Sequence, residues 1–210
     1  MAKISKIAWE GLRKLVHISG LLTVIAYTLL FHYFSDRVAI LGLTAFLLLV
    51  LEFEYLRIEH RPKIIAIFDS LFRKHEKNNL AGSVFYVISC IICFAAFDYW
   101  IAIVAMFMTA FGDVFAAIVG RAIGGEKIYK NKTWIGTLAG LASNILVGLL
   151  ILPNLYYVVL PMAFLATFVE MITNKLDDNL TVPVFSGFLG QMIVYFFAID
   201  LPPVAFSFLN

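Results

Sequence analysis

Long uncharged stretches alternate with short polar segments along most of the chain, and this pattern predicts membrane-spanning helices. A bilayer requires about 20 apolar residues per helix, within a range of about 17–25. The stretches are continuously apolar, which favours helices over a barrel. The stretch 134–169 is about twice the required length, so we divide it at Pro153-Asn154 into two spans. The seven predicted spans cover about 18–35, 38–56, 80–97, 99–120, 135–152, 155–174 and 183–200.

The composition agrees with a membrane protein and excludes several soluble classes. Hydrophobic residues make up 62% of the 210 residues and charged residues 14%, whereas an ordinary soluble domain is about 25% charged. So little charge excludes a soluble enzyme, a disordered chain and a nucleic-acid-binding protein. The expected surroundings are membrane lipids, with no nucleic acid as partner. The pattern leaves the oligomeric state open, a homo-oligomer included.

Positive charge orients the predicted spans. Of the 16 Lys and Arg residues, all but Arg37 fall on one side of the seven-span arrangement. Because positive charge is retained in the cytoplasm, we expect a cytoplasmic N-terminus and an outside C-terminus. The prediction is one all-α domain over 1–210, a polytopic bundle of about seven transmembrane helices. Its expected parts outside the spans are an interfacial helix over 1–17, a cytoplasmic amphipathic loop over 57–79, a nucleotide loop over 121–134 and an acidic loop over 175–183.

Acidic residues at membrane depth are the first sign of chemistry. Asp113 precedes Arg121 by eight residues, which is about 12 Å along a helix. A carboxylate inside a membrane normally faces a wet cavity, a cation or a partner. Glu52, Glu54 and Glu170 also end apolar stretches, and we expect these acids to open toward the basic face. The alternative is that Asp113 simply pairs with a Lys or Arg of a neighbouring helix.

The segment 112–140 contains the parts that phosphoryl transfer requires. A carboxylate can hold Mg²⁺, cations can bind phosphate oxygens, and a helix N-terminus favours an anion. Gly124-Gly125 predicts a sharp turn, and the helix after it is expected to begin near Ile135. The Walker A pattern is absent. The candidate residues are Asp113, Arg121, Lys127, Lys130, Lys132 and Thr133.

Two further segments carry candidate side chains. Glu170, Asp177 and Asp178 would face one side if a helix continued through the aspartate pair, as magnesium ligands or a general base; the alternative is a solvated capping turn that ends at Pro183. Near the N-terminus, Glu10, Arg13, Lys14 and His17 share one helix face by their spacing. Membrane anchoring explains the cations of that face but not its histidine. Cys90 and Cys93 are expected to be packing residues.

Together, these motifs resemble the CTP-dependent lipid-alcohol kinases, a family that includes dolichol kinase, phytol kinase and the yeast-type diacylglycerol kinase. The resemblance covers about 12–200 and rests on the Arg13-Lys14-x-x-His17 stretch, the block from Gly112-Asp113 to Gly136-Thr137, and the string Asp178-Asn179-Leu180-Thr181-Val182-Pro183. It implies Mg²⁺-dependent transfer of the γ-phosphoryl group of CTP, the nucleotide triphosphate partner, to the hydroxyl of a long isoprenoid or glyceride alcohol.

Residue roles follow from the motifs and the resemblance taken together. Asp113 and Asp178 are the expected metal ligands. Asp177, Glu170 and His17 are candidates for the general base, with no order among them, and they complete the catalytic set with Asp113. The expected nucleotide and phosphate ligands are Arg13, Lys14, Arg121, Lys127, Lys132, Thr133 and Asn179.

Two other functions remain open. Phosphatidate cytidylyltransferases share features of the block 113–137, although residues 184–210 contain no Lys, Arg or His of the C-terminal signature expected there. An ion-coupled transporter would distribute acids across the whole bilayer depth, whereas the acids here lie in the predicted inner half. The small size of the chain suggests a prokaryotic cell membrane, or the endoplasmic reticulum if the source is eukaryotic.

Overall fold

The computed structural model describes residues 20–60, 79–129, 132–173 and 176–204, which form seven α-helices and one small β-hairpin. The helices are α1 (Leu21–Tyr33), α2 (Asp36–Tyr55), α3 (Gly82–Ala96), α4 (Tyr99–Ile123), α5 (Trp134–Ile151), α6 (Tyr156–Ile172) and α7 (Asp178–Phe196). A π-helical turn, Leu56–His60, continues α2, and the antiparallel strands β1 (Lys127–Tyr129) and β2 (Lys132–Thr133) lie between α4 and α5. The prediction of an all-α helical membrane protein is confirmed.

Four of these helices are long and apolar enough to cross a membrane. They are α2 with its π-helical turn, α4, α5 and α7. The other three are apolar but shorter, with 13 residues in α1, 15 in α3 and 17 in α6, so their crossing of the bilayer stays a prediction. The break predicted at Pro153-Asn154 is confirmed, because α5 ends at Ile151 and α6 begins at Tyr156.

The chain divides into two compact units, residues 1–91 and 92–210, and α3 contains the boundary. In the first unit, α1 and α2 are joined by a tight connection at Ser35, whose hydroxyl accepts a hydrogen bond from the Val38 N–H and begins α2. The Tyr27 hydroxyl donates to Asp36. Cys90, in this unit, and Cys93, just past the boundary in α3, are fully buried and form no disulfide among the described residues, as expected of packing residues.

The first unit corrects one expectation about the acidic residues. Glu52 is exposed, whereas Glu54 is only 2% exposed and binds Arg57, itself 4% exposed. The Arg57 guanidinium donates to both carboxylate oxygens, at 3.0 and 2.6 Å, and to the Asn79 carbonyl, while the Ala81 N–H donates to Glu54. Glu54 therefore forms a structural ion pair and does not open toward a basic face. Helical structure continues through Arg57, so the loop predicted over 57–79 begins too early.

In the second unit, α4 to α7 pack with alternating direction. Gly120 meets Gly136 near one end of the α4–α5 contact, and Met108 meets Gly148 near the other, so α4 and α5 are antiparallel. The pairs Asn144–Thr167 and Gly148–Val159 give the same relation for α5 and α6. The pairs Met162–Gly190 and Thr173–Thr181 give it for α6 and α7. The end of α4, the start of α5, the end of α6 and the start of α7 therefore lie at the same end of the unit.

Helix α7 begins five residues earlier than predicted. Its first residue is Asp178, and Pro183 lies inside the helix, although the sequence predicts a loop ending at Pro183. The helix can start early because Asp177 caps it. Pro183 is its sixth residue, past the first turn, so it removes the intrahelical hydrogen bond that an N–H at this position would donate to the Asn179 carbonyl. The condition under which Glu170 and the aspartate pair would share one helix face is not met, because α6 ends at Ile172 and Thr173 has extended backbone.

Candidate functional site

Small residues bring α4 and α5 into close contact. A Cβ on Gly136 would lie 2.8 Å from the Ala116 carbonyl oxygen and 3.1 Å from the Gly120 Cα, and a Cβ on Gly112 would lie 2.5 Å from the Asn144 side-chain oxygen. Backbones approach this closely only where side chains are absent. Gly112, Gly120 and Gly136 therefore serve the close packing of α4 against α5.

Lys132 and Glu170 meet beside this α4–α5 contact. The Lys132 ammonium donates to the backbone carbonyl of Glu170 and lies 3.7 Å from the Glu170 carboxylate. The other carboxylate oxygen lies 3.8 Å from where a Gly140 Cβ would be, and the Gly112 carbonyl oxygen lies 3.4 Å from that point. The ion pair and the turn of helix α4 that contains Gly112 and Asp113 thus lie against the same position on α5, Gly140. The structure brings together a predicted phosphate ligand and a candidate base that are 38 residues apart.

The hairpin that carries Lys132 is held in place where it leaves α4 and where it enters α5. Gly124 and Gly125 have φ values of +78° and +113°, a backbone region that favours glycine, and they form the sharp turn predicted after α4. The Trp134 N–H donates to the Glu126 carbonyl at 3.1 Å. Thr133 caps α5 by accepting a hydrogen bond from the Gly136 N–H at 3.2 Å. The predicted start of α5 is confirmed to within one residue, and the hydroxyl of Thr133 has a capping role.

The first turn of α7 is held by Asp177. Its carboxylate accepts hydrogen bonds from the backbone N–H and the side-chain amide of Asn179, at 3.0 and 2.7 Å. Its backbone carbonyl accepts from the Thr181 hydroxyl, which also contacts the Thr173 hydroxyl at the end of α6. The alternative of a capping turn is thus confirmed for Asp177, whose role as a general base stays a prediction. Asn179 is buried, and Asp178 is half-buried beside it.

Asp113 and the start of α7 lie at the same level of the unit. A Cβ on Gly187 would lie 3.3 Å from the Ala105 Cβ, which fixes one point where the antiparallel helices α4 and α7 touch. Eight residues from that point, about 12 Å along each axis in the same direction, are Asp113 on α4 and Asn179 on α7. The two acidic motifs of the sequence therefore reach one level, where Asp113 is half-buried.

Aromatic residues mark the opposite end of the unit. Tyr99 and Trp100 begin α4, Tyr156 and Tyr157 begin α6, and Tyr195 lies near the end of α7. Tyrosine and tryptophan are enriched where a membrane meets water. Asp113 is 14 residues from Tyr99, about 21 Å along α4. If these aromatic residues lie at one surface of a hydrocarbon core about 30 Å thick, Asp113 lies within the core and nearer to the opposite membrane surface.

Asn144 is a polar residue of this region that the sequence analysis did not select. It is 1% exposed, and its amide donates to the Thr167 hydroxyl at 3.0 Å, which in turn donates to the Ala163 carbonyl. Within the described part of the chain, its side-chain oxygen has no hydrogen-bond partner and packs against Gly112. A lone asparagine four residues after Gly140 in an apolar helix was the signal that could have identified it.

The structure limits what kind of metal site the described residues can form. Across residues 20–60, 79–129, 132–173 and 176–204, no group of three or more His, Cys, Asp or Glu is placed to hold an ion. Magnesium commonly binds one or two carboxylates and takes its other ligands from water and phosphate. The half-buried Asp113 and Asp178 fit that pattern, and their shared metal site stays a prediction.

Two other predicted ligands are exposed, and the remaining ones lie outside the described residues. Arg121, in the last turn of α4, and Lys127, on β1, are exposed. The N-terminal candidates Arg13, Lys14 and His17, and also Lys130, are outside the described part of the chain.

Comparison with known proteins gives phytol kinases as relatives. No family model matches the chain, and no solved structure matches it. The chain is 32% identical over 208 aligned positions to "Probable phytol kinase 3, chloroplastic" of Glycine max, covering 87% of this chain and 62% of the relative. It is 31% identical over 195 positions to "Phytol kinase 1, chloroplastic" of Arabidopsis thaliana, covering 81% and 62%. A third relative, from Triticum aestivum, is 33% identical over 151 positions, covering 62% of this chain and 49% of the relative.

These similarities confirm the resemblance drawn from the motifs. The chain spans about three fifths of the length of the first two relatives, and the matched region covers most of the chain. All three are plant proteins whose names place them in chloroplasts, so they give no support to the expectation of a prokaryotic membrane.

Proposed function

We propose that this membrane protein is a member of the lipid-alcohol kinase family, like the phytol kinases it resembles, and that it phosphorylates the hydroxyl of a long-chain isoprenoid alcohol. The observation that carries the proposal is the meeting of the Lys132–Glu170 ion pair and the Gly112 carbonyl, next to Asp113 in the chain, at one position on α5. A cation and carboxylates at the edge of a bilayer suit a reaction between a water-soluble phosphate donor and a membrane-bound acceptor. The names of the relatives favour an acceptor like phytol.

The reaction is an in-line phosphoryl transfer. The alcohol oxygen forms a bond to the γ-phosphorus, the bond from that phosphorus to its bridging oxygen breaks, and a nucleoside diphosphate leaves. The hydroxyl proton passes to a general base, for which Asp177, Glu170 and His17 are the candidates. Because the protein forms no covalent bond in such a step, its contribution is positioning and charge stabilisation. Lys132 would stabilise charge on the transferred group, assisted by Arg121 and Lys127.

Mg²⁺ and CTP complete the proposal. Asp113 and Asp178 would hold Mg²⁺, which neutralises charge on the phosphate oxygens. CTP as the donor rests on the motif resemblance alone. The positive-inside pattern supports a cytoplasmic position for the site, so that the nucleotide enters from the cytosol while the alcohol arrives laterally, with its tail among the helices.

Product analysis tests the proposed function. Purified protein is incubated with Mg²⁺, γ-labelled CTP or ATP, and one alcohol at a time from phytol, geranylgeraniol, a polyprenol and diacylglycerol. We expect label in an isoprenoid alcohol, more with CTP than with ATP, and none after chelation of Mg²⁺. Asp113→Asn is expected to abolish labelling. The matched control is Asp98→Asn, the same change at the residue that precedes the first turn of α4. This control is expected to leave labelling intact.

Two outcomes would contradict the proposal. Release of pyrophosphate from CTP with phosphatidate, in place of CDP, would identify a cytidylyltransferase. Full activity of Asp113→Asn in a normally folded protein would remove the assigned role of that carboxylate.

A further inference from the structure

Lys132 contacts the end of α6 through both the backbone carbonyl and the side chain of Glu170. Its ammonium donates to the backbone carbonyl of Glu170 and lies 3.7 Å from the carboxylate of the same residue. The Lys132 side chain is 31% exposed and that of Glu170 is 12% exposed. The cation therefore lies at the margin of the unit, with one side toward α6 and another accessible to a ligand.

The carbonyl that binds Lys132 belongs to a helix terminus. The last four carbonyls of a helix have no intrahelical donor, and in α6 the Thr173 N–H already binds the Val169 carbonyl. A lysine that binds a terminal carbonyl completes the helix cap and interacts favourably with the negative end of the helix dipole. Lys132 is thus fixed in position by the fold of α6, although it belongs to the hairpin.

Gly140 makes room for the Glu170 carboxylate. One carboxylate oxygen lies 3.8 Å from the position that a Gly140 Cβ would occupy, and that same position is 3.1 Å from the Ala116 Cβ. The carboxylate is therefore confined between α5 and the end of α6, where it can reach Lys132. A lysine ammonium has three N–H donors. Since the Glu170 carbonyl takes one, the ammonium can bind a phosphate oxygen while it stays attached to α6.

We propose that Glu170 is a positioning residue, which holds Lys132 where the nucleotide phosphates bind, and is not the base that takes the proton of the alcohol. A base must accept a proton at each turnover, and a proton on Glu170 would remove the negative charge that Lys132 faces. The inference rests on the proposed function for its phosphate ligand. It also narrows the choice of base to residues other than Glu170.

A double-mutant cycle distinguishes positioning from base catalysis. The proteins are wild type, Glu170→Gln, Lys132→Ala and the double variant, with Glu126→Gln as the matched control because it removes the same charge from an exposed residue beside the hairpin. For each protein, the Kd of Mg-CTP is measured by calorimetry in detergent, and kcat and KM are measured with phytol. Thermal unfolding of every variant confirms that it is folded.

Positioning predicts non-additive effects on nucleotide binding. Glu170→Gln should weaken Mg-CTP binding about 5- to 20-fold, which corresponds to a coupling of roughly 1–2 kcal/mol, and should change kcat less than tenfold. In the Lys132→Ala background, the same substitution should have no further effect. Glu126→Gln should bind Mg-CTP like wild type.

Other results would overturn the inference. If Glu170 is the base, Glu170→Gln lowers kcat by about 10²–10⁴-fold in both backgrounds and leaves the Kd unchanged. Additive effects on the Kd, or a wild-type protein that binds no nucleotide, would also overturn it. Failure of the proposed function has a different signature, because the wild type would then bind Mg-CTP with the expected coupling but phosphorylate no alcohol.

Discussion

Replacement of Gly136 by alanine should destabilise the contact between α4 and α5. The added Cβ would lie 2.8 Å from the Ala116 carbonyl oxygen and 3.1 Å from the Gly120 Cα. Both are backbone atoms, so a side-chain rotation cannot relieve the overlap. A carbon and a carbonyl oxygen normally approach to about 3.3–3.6 Å, and the helices must therefore separate by about half an ångström.

The magnitude follows from two opposing contributions. Overpacking of a well-packed contact costs about 1–3 kcal/mol, while alanine is favoured over glycine inside a helix by up to about 1 kcal/mol. The expected net loss in the free energy of unfolding is about 1–2 kcal/mol. For a chain of 150–250 residues, each kcal/mol lowers Tm by about 2–4 °C, so we expect a decrease of about 2–8 °C.

The two buried cysteines provide the assay. Cys90 and Cys93 are fully buried thiols outside any disulfide of the described residues, so a thiol-reactive fluorophore labels them as the protein unfolds on heating in detergent. The matched control is Gly42→Ala, whose new Cβ would meet only the tip of the Leu30 side chain, at 2.7 Å. The tip can move, so the control should unfold near the wild-type temperature. If Gly136→Ala unfolded at or above the wild-type temperature, the contact between α4 and α5 would accommodate the added Cβ without a loss of stability, contrary to this expectation.

Three further sets of variants test individual contacts with the same thermal assay. Glu54→Ala should cost about 3–5 kcal/mol because it leaves the Arg57 guanidinium buried without its carboxylate, and the double change Glu54→Leu with Arg57→Leu should cost less than Glu54→Ala alone; equal losses would argue against the ion pair. Thr133→Ala should cost about 1 kcal/mol through loss of the α5 cap, and Thr133→Ser should cost almost nothing; a loss as large with serine would contradict the capping role. Asp177→Asn should keep wild-type stability while Asp177→Ala loses about 1 kcal/mol, and equal stability of the two variants would show that the cap contributes nothing.

Hydropathy predicted the helices of the apolar stretches well because burial in lipid and helix formation coincide there. The break at Pro153-Asn154 and the turn at Gly124-Gly125 were predictable, since proline and glycine impose backbone geometry on their own. The start of α7 was not, because Asp177, Asp178 and Asn179 are polar and look like a loop. Capping by Asp177 makes these polar residues the first turn of a helix instead.

The candidate site was predictable only in its parts. The motifs selected Asp113, Lys132 and Glu170, but nothing in their spacing indicates that Lys132 binds Glu170, because that contact depends on the packing of α5 and α6. The pairing of Glu54 with Arg57 was missed for a different reason, because the three-residue spacing permits a local ion pair but does not show that it is buried. A charge at a helix end looks the same in the sequence whether it faces water or a buried partner.

Binding of a metal ion shows whether Asp113 and Asp178 share one metal–nucleotide site. Mn²⁺ replaces Mg²⁺, and its binding to the purified protein is followed by electron paramagnetic resonance with and without CTP. We expect one nucleotide-dependent Mn²⁺ per chain in the wild type. Asp113→Asn and Asp178→Asn should each weaken this binding at least tenfold, and the double variant should bind no more weakly than the more affected single variant. Wild-type Mn²⁺ binding by both folded single variants would show that the two aspartates do not share a metal site.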